Sequence, residues 1–132
     1  MQAAILLQKL TVFEEELEAR SQIAARYNEA LADQATVPVL MTGATSAWAQ
    51  YTILLDHRDQ VVTKLKEQGI PTAVYYPIPL HRQSGYKHFP VAKGGLPVSE
   101  FLADRVLSLP FHPYLEPETQ DRIVAAVRSS AA

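Results

Sequence analysis

The chain has 132 residues, which suits one domain with its own hydrophobic core. Its 12 lysine and arginine residues against 14 acidic residues give a formal net charge of −2, so no basic surface for nucleic acid or anionic lipid is expected. The sequence has no cysteine, which excludes disulfides and thiolate chemistry and favours a cytoplasmic location. The apolar N-terminal run is far shorter than the roughly 20 residues of a membrane span, so neither export nor insertion is predicted.

The first predicted element is one long helix. From Gln2 to about Ala32 there is no glycine or proline, and apolar residues recur at intervals of three and four. Such a helix is about 45 Å long, so part of it should extend beyond a domain of this size. The acidic run Glu14–Glu18 is expected to be a solvated face, whereas the first turns are apolar on every side. We expect this uncovered end to favour self-association. The apolar residues at that end are Ile5, Leu6, Leu7 and Leu10.

The middle of the sequence predicts two strands and a helix. Aromatic and β-branched residues indicate a strand from about Trp48 to Leu55. Asp56 is the expected N-cap of a short helix that Gly69 ends, with Val61, Val62 and Leu65 on its buried face. The segment TAVYY, residues 72 to 76, is predicted as the second strand.

The C-terminal third predicts two more helices with a short strand between them. Ser99 is the expected N-cap of a helix that ends before Pro110, and a last helix begins near Pro117. The predicted buried face of the first of these helices consists of Phe101, Leu102, Val106 and Leu107. Together the elements predict an α/β fold of the α+β sandwich kind, with a long N-terminal helix and a small sheet covered by helices.

The residue types that carry most catalytic chemistry are absent or badly placed. The five glycines form no phosphate-binding loop, and the four histidines form no metal-ligand pair, so no metal site is predicted. The serines lack the turn motif of a nucleophile. The five lysines lie on predicted helices or in polar loops, where nothing activates a Schiff-base amine. No catalytic residue is therefore predicted in this chain.

One stretch does suggest a ligand site. Residues 69 to 86, GIPTAVYYPIPLHRQSGY, place Tyr75, Tyr76 and His81 among prolines. An edge strand that runs into a turn explains this composition in the ordinary way. A pre-organised rim that faces a ligand is the alternative, because prolines lower the cost of ordering the polar tips around them. The residues alone leave both interpretations open.

Five blocks of the sequence closely resemble the C-terminal portion of the DegT/DnrJ/EryC1/StrS sugar aminotransferases. In chain order they are QAAILLQKL, ARYNEAL, SAWAQYTILL, LKEQGIPTAVYYPIPLHRQSGY and LPVSEFLADRVLSLPFHPYL. The resemblance implies that residues 1–132 are the small C-terminal domain of an aminotransferase of fold type I. It implies that the large domain, with the Schiff-base lysine and the other pyridoxal phosphate contacts, lies upstream and outside this chain.

The resemblance also implies a reaction and a binding site. The full-length enzyme would pass an amino group from a donor such as glutamate to a nucleotide-linked keto-sugar, in amino-sugar or cell-surface polysaccharide biosynthesis. Tyr75 and Tyr76 match positions that contact the substrate, and His81 matches a frequent family position that either contacts the substrate or orients the turn. Leu109 and Phe111 match structural positions. Pyridoxal phosphate is the expected cofactor of the full-length homodimer, with none bound by this chain alone. A sugar dehydratase of the same family and a free-standing binding or assembly module without catalysis remain the alternatives.

Overall fold

A computed structural model describes residues 1–131 as helices packed around a two-stranded antiparallel sheet, which confirms the predicted fold class. In chain order the elements are α1 (Gln2–Leu10), α2 (Phe13–Leu31), β1 (Tyr51–Leu54), α3 (Arg58–Glu67), a 3₁₀ turn (Leu80–Arg82), α4 (Pro97–Arg105), β2 (Val106–Leu109) and α5 (Pro117–Ala131). Among these described elements, none is a helix long and apolar enough to cross a membrane.

The prediction of one long N-terminal helix is wrong, because the helix breaks between α1 and α2. Val12 has φ −111° and ψ 2°, outside helical geometry. The Thr11 hydroxyl donates a hydrogen bond to the Gln8 carbonyl at 2.7 Å. Two consecutive β-branched residues disfavour the helix, and a threonine hydroxyl that bonds to its own preceding turn competes with the helical pattern. The chain therefore changes direction after Leu10.

Glu16 joins the two sides of this break. Its carboxylate accepts hydrogen bonds from the Lys9 ammonium of α1 and from the Tyr114 hydroxyl of the segment before α5. The hydrogen bond from Lys9, and then the one from Tyr114, hold the pKa of Glu16 below its usual value. Glu16 is buried, so the predicted solvated face of the acidic run is wrong at this position.

The apolar end of α1 is uncovered, as the sequence predicted. Its residues Ile5, Leu6, Leu7 and Leu10 are 61 to 65% exposed. Helix α1 has no buried residue, whereas α2 buries Ile23, Ala24, Tyr27 and Leu31 along one face. The core begins with α2.

The core lies between the sheet and the helices α2, α3 and α5. In the sheet Tyr51 pairs with Leu109 and Ile53 pairs with Leu107, and all four side chains are buried. The side of α5 that faces α2 and α3 contains Ile123 and Val127 at a helical spacing of four. The predicted face of α3 is correct, with Val61 and Leu65 buried and Val62 partly buried.

Two tyrosines occupy the centre of this core. The rings of Tyr27 and Tyr51 stack with centroids 4.8 Å apart, and Phe111 stacks on Tyr51 at 6.0 Å. The Tyr27 hydroxyl donates to the Pro110 carbonyl at 3.0 Å, and the Tyr51 hydroxyl donates to Asn28 Oδ1 at 2.7 Å. Burial raises the pKa of both phenols. Phe111 packs against the core as predicted, and so does Leu109.

The boundaries around β1 and α3 differ partly from the prediction. The strand is Tyr51–Leu54, shorter than the predicted Trp48 to Leu55, and Trp48 has a positive φ of 48°. The predicted cap Asp56 is wrong, because His57 is the N-cap of α3 and the Asp56 carboxylate accepts from Arg105 Nε at 3.2 Å. Gly69 follows α3 with φ 70°, which confirms the predicted helix stop.

The structure also corrects four predictions around β2. The predicted strand 72–76 contributes one isolated bridge, between Ala73 and Ser108. Ser99 is not a cap, because α4 begins after Leu96 with a proline in its first turn. The predicted helix ends at Arg105, and Val106 and Leu107 lie in β2, where pairing with β1 replaces the helical pattern. In the predicted buried face of that helix, Phe101 and Leu102 are 49% and 37% exposed.

Candidate functional site

A cavity of about 850 Å³ opens between the segment that follows Ala73 and the helix α4. Its walls are mostly aromatic and aliphatic, with hydroxyl, imidazole and amide groups among them. This composition is typical of sites that bind a small organic molecule. The lining side chains include Tyr75, Tyr76, His81, Tyr86, Phe89 and Ser99.

All three residues predicted as substrate contacts line this cavity. Tyr75 and Tyr76 meet edge to face, with ring centroids 5.8 Å apart and an angle of 74° between the rings. Their exposed fractions are 46% and 73%. In a simple edge strand one ring would be packed and the other wet, since successive side chains alternate between faces. Both rings are exposed, so this alternation is not seen at Tyr75 and Tyr76, although Ala73 just before them pairs with Ser108 at the edge of β2.

His81 lies on the 3₁₀ turn and is held by a carboxylate from α4. Its Nε2 atom is 2.9 Å from Glu100 Oε1, and the His81 side chain is only 15% exposed. Arg82 contacts the same carboxylate, with Nε 3.0 Å from Oε1 and Nη2 2.8 Å from Oε2. The hydrogen bond from His81 is the main cause that lowers the pKa of Glu100, and the charge of Arg82 adds to it. Glu100 is in the first turn of α4, where a negative charge is favoured.

The other end of α4 is fixed by an arginine from the core. The Arg58 guanidinium is buried and donates to the carbonyl groups of Ala103 and Val106, at 3.1 Å and 2.9 Å. These are carbonyl groups at the helix end, which would otherwise lack partners. Arg105 adds an exposed contact to Asp56, and its guanidinium lies 4.0 Å from the centroid of the Phe101 ring.

Sequence reasoning missed both Glu100 and Arg58. Glu100 is separated from His81 by 19 positions, and Arg58 is 45 positions from Ala103. No motif links them. Two consecutive basic side chains at His81 and Arg82 beside an apolar wall were the available signal, because they require a carboxylate partner when partly buried.

The wall of this cavity contains no lysine or arginine side chain. Lys9 is engaged with Glu16, and Lys64 donates to the Ser130 carbonyl at 3.1 Å. Residues 1–131 contain no cluster of side chains that could hold a metal ion.

Comparison with known families and structures identifies the chain. The model of the DegT/DnrJ/EryC1/StrS aminotransferase family matches residues 1–128. The chain belongs to this family.

Individual relatives and solved structures agree with this assignment. The chain is 43% identical, over 96% of its length, to a UDP-2-acetamido-2-deoxy-3-oxo-D-glucuronate aminotransferase of Pseudomonas aeruginosa. It is 36% identical to a dTDP-3-amino-3,4,6-trideoxy-alpha-D-glucose transaminase of Micromonospora megalomicea, over 97% of its length. A DegT DnrJ EryC1 StrS aminotransferase from Brucella abortus has a TM-score of 0.92 at 55% identity, and the match covers 97% of this chain.

The chain spans about a third of the length of these proteins. The match covers 35% of the Pseudomonas relative, 36% of the Micromonospora relative and 34% of the Brucella chain. The chain also matches about a third of a solved structure of S. venezuelae DesV in complex with a ketimine intermediate. Its TM-score is 0.92 at 34% identity, and the match covers 36% of that chain.

Proposed function

We propose that residues 1–132 form the C-terminal domain of a longer pyridoxal phosphate-dependent aminotransferase that acts on a nucleotide-linked keto-sugar. The observation that carries the proposal is the family match over residues 1–128. Relatives that are 43% and 36% identical are named for transamination of UDP- and dTDP-linked sugars, which supports the substrate class. A place in amino-sugar or polysaccharide biosynthesis and the cytoplasmic location belong to the same proposal.

The part of this chain in the reaction is to bind and orient the sugar nucleotide. Overall, the carbonyl group of the sugar becomes an amine while a donor such as glutamate becomes 2-oxoglutarate. The cofactor supplies the electron sink for such chemistry, and no step of the transfer is assigned to the residues of this chain. The cavity beside Tyr75, Tyr76 and His81 supplies an apolar wall with hydroxyl and imidazole groups, which suits a base or sugar ring with hydroxyl groups.

An assay of the longer protein tests the proposal. The reading frame upstream of Met1 is expressed together with this chain, and the product is supplied with pyridoxal phosphate, glutamate and UDP-2-acetamido-2-deoxy-3-oxo-D-glucuronate. We expect 2-oxoglutarate and the 3-amino sugar nucleotide in equal amounts, detected by mass spectrometry. The 132-residue chain alone is the control and is expected to be inactive. If neither UDP- nor dTDP-linked keto-sugars are aminated by the longer protein, the proposed activity is wrong.

Two alternatives give different results in the same assay. A dehydratase of this family would release water from the sugar nucleotide and leave glutamate unchanged. A free-standing binding module would have no cofactor-binding sequence upstream, and the isolated chain would bind the sugar nucleotide without turnover. The dehydratase would be detected as a change in the mass of the sugar nucleotide. The binding module would be detected as heat of binding in calorimetry.

The homodimer of the full-length enzyme is part of the proposal, and the separate prediction that this chain associates through the uncovered end of α1 can be tested on the chain itself. The exposed residues of α1 would bury apolar area against a second copy, at about 1.5 to 3 kcal/mol for each fully buried side chain before association costs. Replacing Leu6 and Leu10 by Gln should weaken dimers in sedimentation equilibrium at least about tenfold. The matched control replaces Val39 and Met41, which are equally apolar and 87% and 80% exposed elsewhere. If both pairs of substitutions weaken the dimer equally, or if the native chain is a monomer at all concentrations, association through α1 is contradicted.

A further inference from the structure

His81 is part of the cavity wall, and its Nε2 atom contacts the carboxylate of Glu100 on α4. Oε1 lies within hydrogen-bond distance of both His81 Nε2 and Arg82 Nε, and Oε2 is held by Arg82 Nη2. A guanidinium that contacts both oxygens keeps a carboxyl group ionised. Glu100 is therefore an acceptor at both oxygens.

This fixes the direction of the hydrogen bond to the imidazole. An ionised carboxylate can only accept, so His81 Nε2 must carry the proton and donate it to Glu100 Oε1. In the neutral ring the second nitrogen, Nδ1, then has a lone pair and no proton. When its ring is neutral, His81 in the cavity wall therefore has one acceptor atom, Nδ1, that is not bonded to Glu100.

The backbone around His81 holds the ring in place for this role. Pro79 precedes the 3₁₀ turn with φ −56°, which a proline ring fixes, and Gln83 Nε2 donates to the Ile78 carbonyl across the turn at 3.2 Å. The turn constrains the backbone of His81, and the hydrogen bond to Glu100 fixes the orientation and the tautomer of its ring.

We infer that Glu100 is a positioning residue that fixes His81 as an Nε2–H donor, so that Nδ1 accepts a hydrogen bond from a hydroxyl group of the ligand. The nature of the ligand, a nucleotide-linked sugar, rests on the proposed function. The consequence for specificity is direct. A neutral Nδ1 acceptor recognises a hydroxyl group of the sugar or ribose and does not favour a phosphate oxygen, which is itself an acceptor.

The state of the ring is tested on the 132-residue chain by nuclear magnetic resonance with ¹⁵N-labelled histidine. The signal of His81 is assigned by its loss in His81→Asn. We expect a protected Nε2–H proton bonded to a carboxylate in the native chain, and its loss to rapid exchange in Glu100→Ala. Glu100→Gln keeps an acceptor oxygen and should retain much of the signal. Asp104→Ala removes an exposed carboxylate of the same helix and should change nothing. An unchanged Nε2–H signal in Glu100→Ala, in a chain that remains folded, overturns the inference.

The role in binding is tested in the longer enzyme. Glu100→Ala and His81→Ala should each raise the KM for the sugar nucleotide about three- to tenfold with little change in kcat, and the double variant should add nothing further. Full additivity means that Glu100 does not act through His81, which overturns the positioning role. A longer protein that takes no sugar nucleotide at all contradicts the proposed function, while the resonance experiment still decides the state of His81.

Discussion

Two pairs of tyrosines in the molecule have the same side-chain chemistry but differ in burial, ring geometry and hydrogen bonding. Tyr27 and Tyr51 are fully buried, stack at 4.8 Å and donate their hydroxyl protons to groups of the core. Tyr75 and Tyr76 are largely exposed and meet edge to face beside a cavity. The buried pair stabilises the fold, and the exposed pair leaves its polar tips available to a ligand. The two pairs differ in burial, which cannot be read from the residue types alone.

The largest expected effect comes from removing one ring of each pair. Tyr27→Ala should lower the free energy of unfolding by about 3 to 5 kcal/mol, because it leaves a large cavity in the core. Tyr76→Ala should change it by less than about 0.5 kcal/mol, since the ring is mostly in solvent. Urea denaturation followed by circular dichroism measures both. A comparable loss in the two variants would mean that the exposed pair is structural as well.

The second prediction concerns the link between the core and the cavity. Arg58→Met keeps the aliphatic length but leaves the Ala103 and Val106 carbonyl groups without their donor, which should cost about 2 to 3 kcal/mol of stability. The control is Arg122→Met, an exposed arginine that donates to the Gln68 carbonyl, with an expected effect below about 0.5 kcal/mol. Equal stability of the two variants in urea would show that the end of α4 is held by other contacts.

Removing only the hydroxyl groups sharpens the comparison further. Tyr27→Phe and Tyr51→Phe should each lose about 0.5 to 1.5 kcal/mol of stability, because each leaves a core acceptor unpaired. Tyr75→Phe and Tyr76→Phe should leave stability unchanged. In the longer enzyme, at least one of them should weaken apparent binding of the sugar nucleotide by about 0.5 to 1.5 kcal/mol, measured from kcat/KM. Unchanged kinetics in both, with a loss of thermal stability, returns the segment to a structural role.

The smallest effect is expected at a third kind of tyrosine. Tyr114 is 66% exposed, yet its hydroxyl donates to the buried carboxylate of Glu16, and this bond raises the pKa of the phenol. The pKa of Glu16 is lowered from its usual value of 4.5, mainly by Lys9 and then by Tyr114. The unfolded chain therefore binds the proton more readily, so the stabilisation is present above about pH 4.5 and is lost as the pH falls through the lower value in the folded state.

Glu16→Gln tests this dependence. The stability difference between the native chain and this variant should shrink as the pH is lowered from about 6 to about 3, in chemical denaturation at each pH. Glu14→Gln, an exposed neighbour on the same helix, should give a curve parallel to that of the native chain. A difference that stays constant with pH would mean that the carboxylate is not paired in solution.

Much of the core followed from the sequence, because periodic apolar residues and glycine stops are local signals. The buried face of α3, the stop at Gly69 and the start of α5 are examples. The break at Thr11 and Val12 also had a local signal, namely two consecutive β-branched residues. The prediction of one continuous helix gave more weight to the absence of glycine and proline.

The site was predicted only in part, since its polar contacts join distant positions. Tyr75, Tyr76 and His81 share one cavity as their clustering in the sequence suggested. Glu100 and Arg58 could not be found in this way, because nothing in the spacing ties either to its partner. The short strand predicted between the last two helices was placed too late in the chain for a similar reason, since Val106 and Leu107 continue a helical pattern until pairing with β1 decides their conformation.

The two ends of α4 are held differently. Its last turn accepts a hydrogen bond from the buried guanidinium of Arg58 in α3, and Glu100 in its first turn contacts the half-exposed turn that contains His81. We expect any movement of α4 to be larger at Ser99 and Glu100 than at Ala103, so that the width of the cavity mouth would change while the packing of the core stays as it is.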